Sequence, residues 1–254
     1  MLGVYYSGNG NSRYCLKKFV HLLDSSAHCI SIEETECINE IKKQDFIVLA
    51  YPVYYCNLPK MFRDFLEKNA MLFRNKKVFI LATRSHYAGD ATGCCARILN
   101  KAGASVIGAL YIEMPDCVGD KKSYKKSAKA NEAIIAQAEN AIVHAVNHMK
   151  NGNVFRDGLT FRSFLFGFFG KRIWHLYRTG NYNQKVRIQT KRCNACGHCA
   201  KVCPMKNIEV KDGHVYTRGK CTLCYRCVNQ CPKKAVTLSG KDVYYQYTMK
   251  KSHI

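Results

Sequence analysis

The last quarter of the chain carries one cysteine spacing twice. Cys193, Cys196, Cys199 and Cys203 are followed by Pro204, and Cys221, Cys224, Cys227 and Cys231 by Pro232. Each run reads C-x2-C-x2-C-x3-C-P. Three thiolates at x2 spacing can wrap one cubane [4Fe-4S] core from a single tight loop. The fourth falls on the following helical turn and faces away, toward a second core. The spacing therefore assigns Cys193, Cys196, Cys199 and Cys231 to one cluster, and Cys221, Cys224, Cys227 and Cys203 to the other.

The alternatives fit less well. Zinc sites usually use paired C-x2-C knuckles, which leaves the regular triplets and the terminal Cys-Pro surplus. A disulfide framework needs an oxidising compartment and is typical of small secreted domains. Over about residues 188–240 the chain resembles bacterial-type dicluster ferredoxins, with all eight ligand positions matched.

A length of 254 residues admits one large or two modest domains. Met1 is followed almost at once by an apolar strand, with no basic segment of a signal peptide before it. No apolar stretch approaches the ~20 uncharged residues of a spanning helix. Seven further cysteines (Cys15, Cys29, Cys37, Cys56, Cys94, Cys95, Cys117) lack motif spacing and read mostly as small buried hydrophobes. A reducing cytoplasm, in an anaerobe, suits all fifteen cysteines.

The formal net charge is +22. Two clusters at about −2 each and a bound phosphate group at about −2 would leave about +16. Such a surface suits nucleic acid or anionic membrane, acidic redox partners, or no charged partner at all.

In the first half, the apolar strand 2–6 runs into Ser7-Gly8-Asn9-Gly10-Asn11-Ser12, and a helical pattern follows. A strand, a Gly/Ser/Asn loop and a helix start together form a phosphate cradle: small residues let backbone N–H groups approach, and the helix N-terminus is positive. The loop has no lysine and does not read G-x-G-x-x-G, so it is neither a Walker loop nor a dinucleotide fingerprint. Alternation continues. Strands are expected at 27–32, 45–51, 77–82 and 104–112. Helices are expected at 34–44, 58–69, 90–102 and 129–149, the last with Ala133, Ile134, Ala141, Ile142 and Val146 as its apolar stripe. This order predicts an α/β, doubly wound, parallel five-stranded sheet, followed by a small α+β domain. Ligands of such sheets sit beyond the C-terminal strand ends. The candidate contacts there for the planar ring of a cofactor are Pro52, Val53, Tyr54, Tyr55, Ser85, His86 and Tyr87; each tyrosine reads equally well as a packed loop anchor.

The loop Ser7–Ser12 is similar to the flavodoxin phosphate loop, with Asn9 in place of its middle threonine. With Pro52-Val53-Tyr54, Pro59 leading into a helix, Met114-Pro115 and the cysteine runs, nearly the whole chain resembles the fused flavodoxin–ferredoxin family of anaerobes. The resemblance implies a flavodoxin-like fold, FMN bound through Ser7, Gly8, Asn9, Gly10, Asn11 and Ser12, two [4Fe-4S] clusters, and electron transfer. The expected organisation is an FMN domain over 1–150, a basic aromatic segment over 151–187, the dicluster domain over 188–242 and a tail over 243–254.

Phe161–Leu176 mixes aromatic and basic residues. It reads as a helix on an anionic membrane surface, a nucleic-acid patch, or a segment packed between the domains, and aromatic burial favours the last. The tail reads either as disordered or as a cover for a cluster. No catalytic nucleophile or acid/base pair is legible, nor any helix-turn-helix or other nucleic-acid-reading motif. The expectation is an electron carrier serving acidic ferredoxins or flavoenzymes. The alternative is a flavin oxidoreductase reducing a small acceptor or quinone with electrons fed through the dicluster domain.

Overall fold

The computed structural model describes residues 1–160 and 185–249. The expectation for Phe161–Leu176, and the part of the 243–254 tail expectation that falls on 250–254, lie outside the described residues.

Five strands form one all-parallel sheet: β1 (Leu2–Tyr5), β2 (His28–Ser31), β3 (Phe46–Pro52), β4 (Lys77–Arg84) and β5 (Ser105–Glu113). Their spatial order is β2-β1-β3-β4-β5, the doubly wound order of flavodoxin-like folds. Five helices flank it: α1 (Asn11–Leu23), α2 (Cys37–Lys42), α3 (Lys60–Lys68), α4 (Ala91–Lys101) and α5 (Ala128–Lys150). The central strands are continuous apolar runs because each faces helices on both sides. Along β3, Ile47, Leu49 and Tyr51 join the core under α2, α3 and α4. Val48 and Ala50 join the core under α1 and α5. Phe19 of α1 stacks on Phe79 of β4, with ring centroids 5.1 Å apart.

Two helices differ from expectation. The segment read as helix 34–44 narrows to α2, because Glu34 turns back onto Ser31: its carboxylate accepts the Ser31 N–H at 2.8 Å, and its own N–H donates to the Ser31 carbonyl. On α5, Ala133 and Ala141 are exposed. The buried stripe is Ala138, Ile142, Ala145 and Val146, an i, i+4, i+7, i+8 pattern that follows the 3.6-residue period more closely.

The second part is small and mixed. β6 (Arg187–Ile188) pairs antiparallel with β9 (Val236–Thr237), and β7 (Ile208–Lys211) with β8 (His214–Thr217). Asp212 and Gly213 turn the β7–β8 hairpin with φ of 50° and 71°, as a two-residue type I′ connection demands. Short helices α6 (His198–Val202) and α7 (Arg226–Gln230) follow the two cysteine loops. Its core, built on Ile208, Val228, Val236 and Leu238, also takes in Cys117 and Val118 of the first part. No helix among the described residues is long and apolar enough to cross a membrane.

Candidate functional site

The C-terminal ends of β1, β3, β4 and β5 open into a cavity of about 450 Å3. Ser7, Gly8, Asn9, Asn11 and Ser12 line one end, at the N-terminus of α1, where backbone donors and the helix dipole favour an anion. Gly10 lies outside the cavity. Its φ of +97° turns the chain into α1, and a Cβ there would strike Met249 at 2.7 Å. Its N–H donates to Ser7 Oγ at 3.1 Å. Buried Ser12 pairs with Thr83, 2.8 Å between hydroxyls. Pro52, Val53, Tyr54, Tyr55, Ser85, His86 and Tyr87 line the rest with Met114 and Pro115. The strand ends therefore bring all the sequence-selected ring contacts to one cavity. Tyr55 and Tyr87 are exposed at its mouth, and His86 packs on Tyr124 with centroids 5.7 Å apart.

The far wall comes from the second part of the chain: Lys185, Leu223, Tyr225 and Ser239. Sequence reading missed these residues, and missed Cys117 beside them. The 221–227 cysteine loop rests directly on the Ser7–Ser12 loop. The Cys224 carbonyl accepts from Asn9 Nδ2 at 3.3 Å and from the Tyr54 hydroxyl at 3.5 Å. Arg226 donates to the Ser7 and Gly8 carbonyls and pairs with Glu33. Residues 243–249 return to the first part. Tyr247 donates to Asn11 Oδ1 at 2.9 Å, and the Met249 N–H to the Asn9 carbonyl at 2.8 Å.

The cysteines gather in two sets of four. Cys193, Cys196, Cys199 and Cys231 line one small cavity. Cys203, Cys221, Cys224 and Cys227 line another. The two loops repeat each other residue for residue. Ala195 and Leu223 both have positive φ, as do Gly197 and Tyr225, and Lys206 and Lys234. Backbone N–H groups reach the sulfurs in matching pairs: Ala195 to Cys193 and Leu223 to Cys221 at 3.4 Å each, Asn207 to Cys203 and Ala235 to Cys231 at 3.3 Å each. Burial raises the Cys221 thiol to about 11, against the pull of the Leu223 N–H. Burial, and then neighbouring Cys224, Cys221 and Cys203, hold Cys227 far above the ordinary thiol range. Four crowded sulfurs ionise together only around a compensating cation, and an iron–sulfur core supplies one. Donor type, number and backbone N–H support all fit such a core. The cavity size and phosphate cradle fit a flavin mononucleotide.

Tyr225 breaks the repeat. Its counterpart is Gly197, yet it holds φ 59° with a full side chain. The left-handed region costs a non-glycine residue of the order of 1 kcal/mol. In return its ring lines the cavity, and its hydroxyl meets Ser239 Oγ at 2.6 Å.

Such a fold, with an anion cradle beside two tetracysteine loops, defines a redox protein that transfers electrons. Comparison with known proteins makes this specific. Residues 2–94 match a family model described as a flavodoxin domain, and residues 185–232 one described as a 4Fe-4S dicluster domain. The two matches follow one another in a single polypeptide. No curated protein matches it. Among solved structures it is similar to the two-electron reduced flavodoxin of Megasphaera elsdenii (18% identity, TM-score 0.41, 57% of this chain and 100% of that one). It is also similar to oxidised flavodoxin 2 from Bacillus cereus (22%, 0.39, 55% and 97%) and to an azoreductase from Bacillus anthracis str. Sterne (12%, 0.43, 57% and 97%).

Proposed function

We propose that the chain relays electrons between an FMN held in the cavity and two [4Fe-4S] clusters, and passes them on to partner redox proteins. The observation that carries this reading is a shared wall. Tyr225 lines both the flavin cavity and the cavity of Cys203, Cys221, Cys224 and Cys227. In this reading those four cysteines hold an inner cluster, and Cys193, Cys196, Cys199 and Cys231 an outer one. FMN supplies two-electron capacity delivered singly, and each cluster supplies one-electron exchange. The chain's own contribution is placement. Ser7, Asn11, Ser12 and the α1 N-terminus hold the phosphate, Tyr54, Tyr55 and Tyr87 offer ring faces, and Arg226 and Asn9 clamp the inner cysteine loop over them.

The inner cysteine loop is covered by the flavodoxin domain, whereas Cys196 of the outer loop is exposed. Lys191, Lys201, Lys233 and Lys234, all exposed, adjoin the outer run. The outer cluster is therefore the port, and its charge suits acidic carriers such as acidic ferredoxins or flavoenzymes. The domain limits proposed are 1–150, 188–242 and the returning segment from 243, in a cytoplasmic protein.

Anaerobic purification with iron, sulfide and flavin analysis, followed by rapid mixing with reductant, tests the relay. About eight irons and one FMN per chain are expected, with flavin and cluster absorbance changing in linked phases. Flavin and clusters that titrate with no internal exchange would refute it. Fast flavin reoxidation by one specific small molecule would instead identify an enzyme.

A further inference from the structure

Tyr6 sits where β1 enters the Ser7–Ser12 loop and is fully buried. Its backbone is satisfied by the Ala50 carbonyl at 3.0 Å. Its ring meets Tyr54 edge-on, with centroids 6.5 Å apart at 87°, and the Arg226 guanidinium lies 5.9 Å above it. Yet the hydroxyl has no hydrogen-bond partner. A buried donor left unmade calls for an explanation. Cys224 supplies one. It packs in the same apolar cluster as Tyr6, the sole buried residue of the dicluster domain to do so among the described residues. Both ring neighbours of Tyr6 belong to the same contact: the Tyr54 hydroxyl donates to the Cys224 carbonyl at 3.5 Å, and Arg226 follows Cys224 by two residues. A neutral thiol is a poor acceptor, and an iron-bound thiolate is a good one.

We propose that Tyr6 donates its O–H to the Cys224 thiolate of the inner cluster, raising that cluster's reduction potential from across the domain boundary. The inference rests on the relay reading, in which Cys224 is a cluster ligand. Reduction adds one electron, and part of its charge falls on the sulfurs. A donor aimed at a sulfur stabilises the reduced state more than the oxidised one, and hydrogen bonds to sulfur are a recognised lever on cluster potential. The hydroxyl proton stays on oxygen throughout, and no bond to it forms or breaks. Because the donor belongs to the flavodoxin domain, the inner cluster takes its full potential only while the two domains are docked.

The test uses two perturbations of opposite sign in full-length holoprotein. Tyr6→Phe keeps the ring contacts with Tyr54 and Arg226 and deletes the donor. Fluorotyrosine at position 6 keeps the shape and strengthens the donor. A redox titration followed by electron paramagnetic resonance resolves the two clusters. Tyr6→Phe is expected to lower the inner cluster's reduction equilibrium constant about three- to tenfold, the upper end being 59 mV for one electron. Fluorotyrosine is expected to shift it the other way, and the outer cluster is expected to stay put in both. An unchanged inner potential, or shifts of the same sign from both replacements, overturns the inference. Iron content separates the two failures: about eight irons with an unmoved potential refutes the Tyr6 contact alone, whereas too few irons refutes the relay reading beneath it.

Discussion

Arg226 and Glu33 join the two domains through a two-pronged ion pair, its nitrogens 2.9 and 2.7 Å from the two carboxylate oxygens. The same guanidinium donates to the Ser7 carbonyl at 2.9 Å and the Gly8 carbonyl at 3.2 Å. The side chains are 15% and 28% exposed, so solvent screens the pair only in part. Arg226 follows Cys224 by two residues, and Ser7 opens the phosphate loop, so one side chain sets the spacing between the inner cysteines and the flavin cradle. Glu33→Gln is expected to weaken docking by about 1.5–3 kcal/mol, the range for a hydrogen bond to a charged group. At unchanged FMN content, the internal electron-exchange rate should fall several-fold, and amide exchange at 7–12 should rise. A Glu33→Gln protein with native exchange rates would show that the apolar contacts suffice.

The crossed arrangement of cysteines makes Cys203 diagnostic. It precedes Cys221 in the chain but shares a cavity with Cys221, Cys224 and Cys227. Cys203→Ala should therefore cost the inner cluster and leave about four irons per chain. The remaining spectrum should belong to the outer set, and flavin-to-cluster transfer should be lost. Loss of the outer signal instead would show that each run binds its own cluster.

Both halves were legible in sequence for physical reasons. Buried parallel strands are apolar without interruption, and β3 and β4 announce themselves that way. Cluster ligands must recur at fixed spacing, so the eight cysteines need no fold to be recognised. What escaped is whatever depends on docking. Lys185, Leu223, Tyr225 and Ser239 reach the flavin cavity from the far end of the chain, and no local pattern encodes which surface a second domain turns inward. One signal was available. Aligning the two cysteine runs sets Tyr225 against Gly197 and Arg226 against His198, and a bulky residue where the repeat wants glycine marks a position held by something outside the loop. In the α5 stripe Ile142 and Val146 are buried as expected and Ala133 and Ala141 are not, for a smaller reason: the helix is rich in alanine, and an alanine reads as apolar on either face.

Docking should also depend on pH through Asp120. Its carboxylate, 1% exposed, accepts the backbone N–H groups of Leu238, Ser239 and Gly240 at 2.7, 2.8 and 3.0 Å. Burial alone would raise its pKa, but the three backbone donors outweigh burial and hold it below the ordinary aspartate value. A folded pKa below the unfolded one, near ~3.9, gives stability that is present above that value and is lost as pH falls through the folded pKa. Domain docking, followed by internal electron exchange, should therefore hold from neutral pH to about 4 and fail below it. Asp120→Asn should remove that acid dependence and weaken docking at neutral pH. The same acid midpoint in both proteins would assign the transition to another group.

The outer port should respond to salt in a way the internal relay does not. Lys191, Lys201, Lys233 and Lys234 are exposed beside the outer cysteines, and Lys233 itself lines their cavity. Encounter with an acidic carrier is steered by these charges, and the screening length shrinks from about 30 Å at 0.01 M salt to about 8 Å at 0.15 M. The bimolecular rate to an acidic ferredoxin should fall at least tenfold over that range. The flavin-to-inner-cluster step, fixed within the docked molecule, should hardly change. Lys233→Glu with Lys234→Glu should lower the bimolecular rate at low salt and flatten its salt dependence. Cathodically shifted clusters are also expected, because removing positive charge beside a centre that gains an electron disfavours its reduced state. A bimolecular rate indifferent to both salt and charge reversal would move the port elsewhere on the surface.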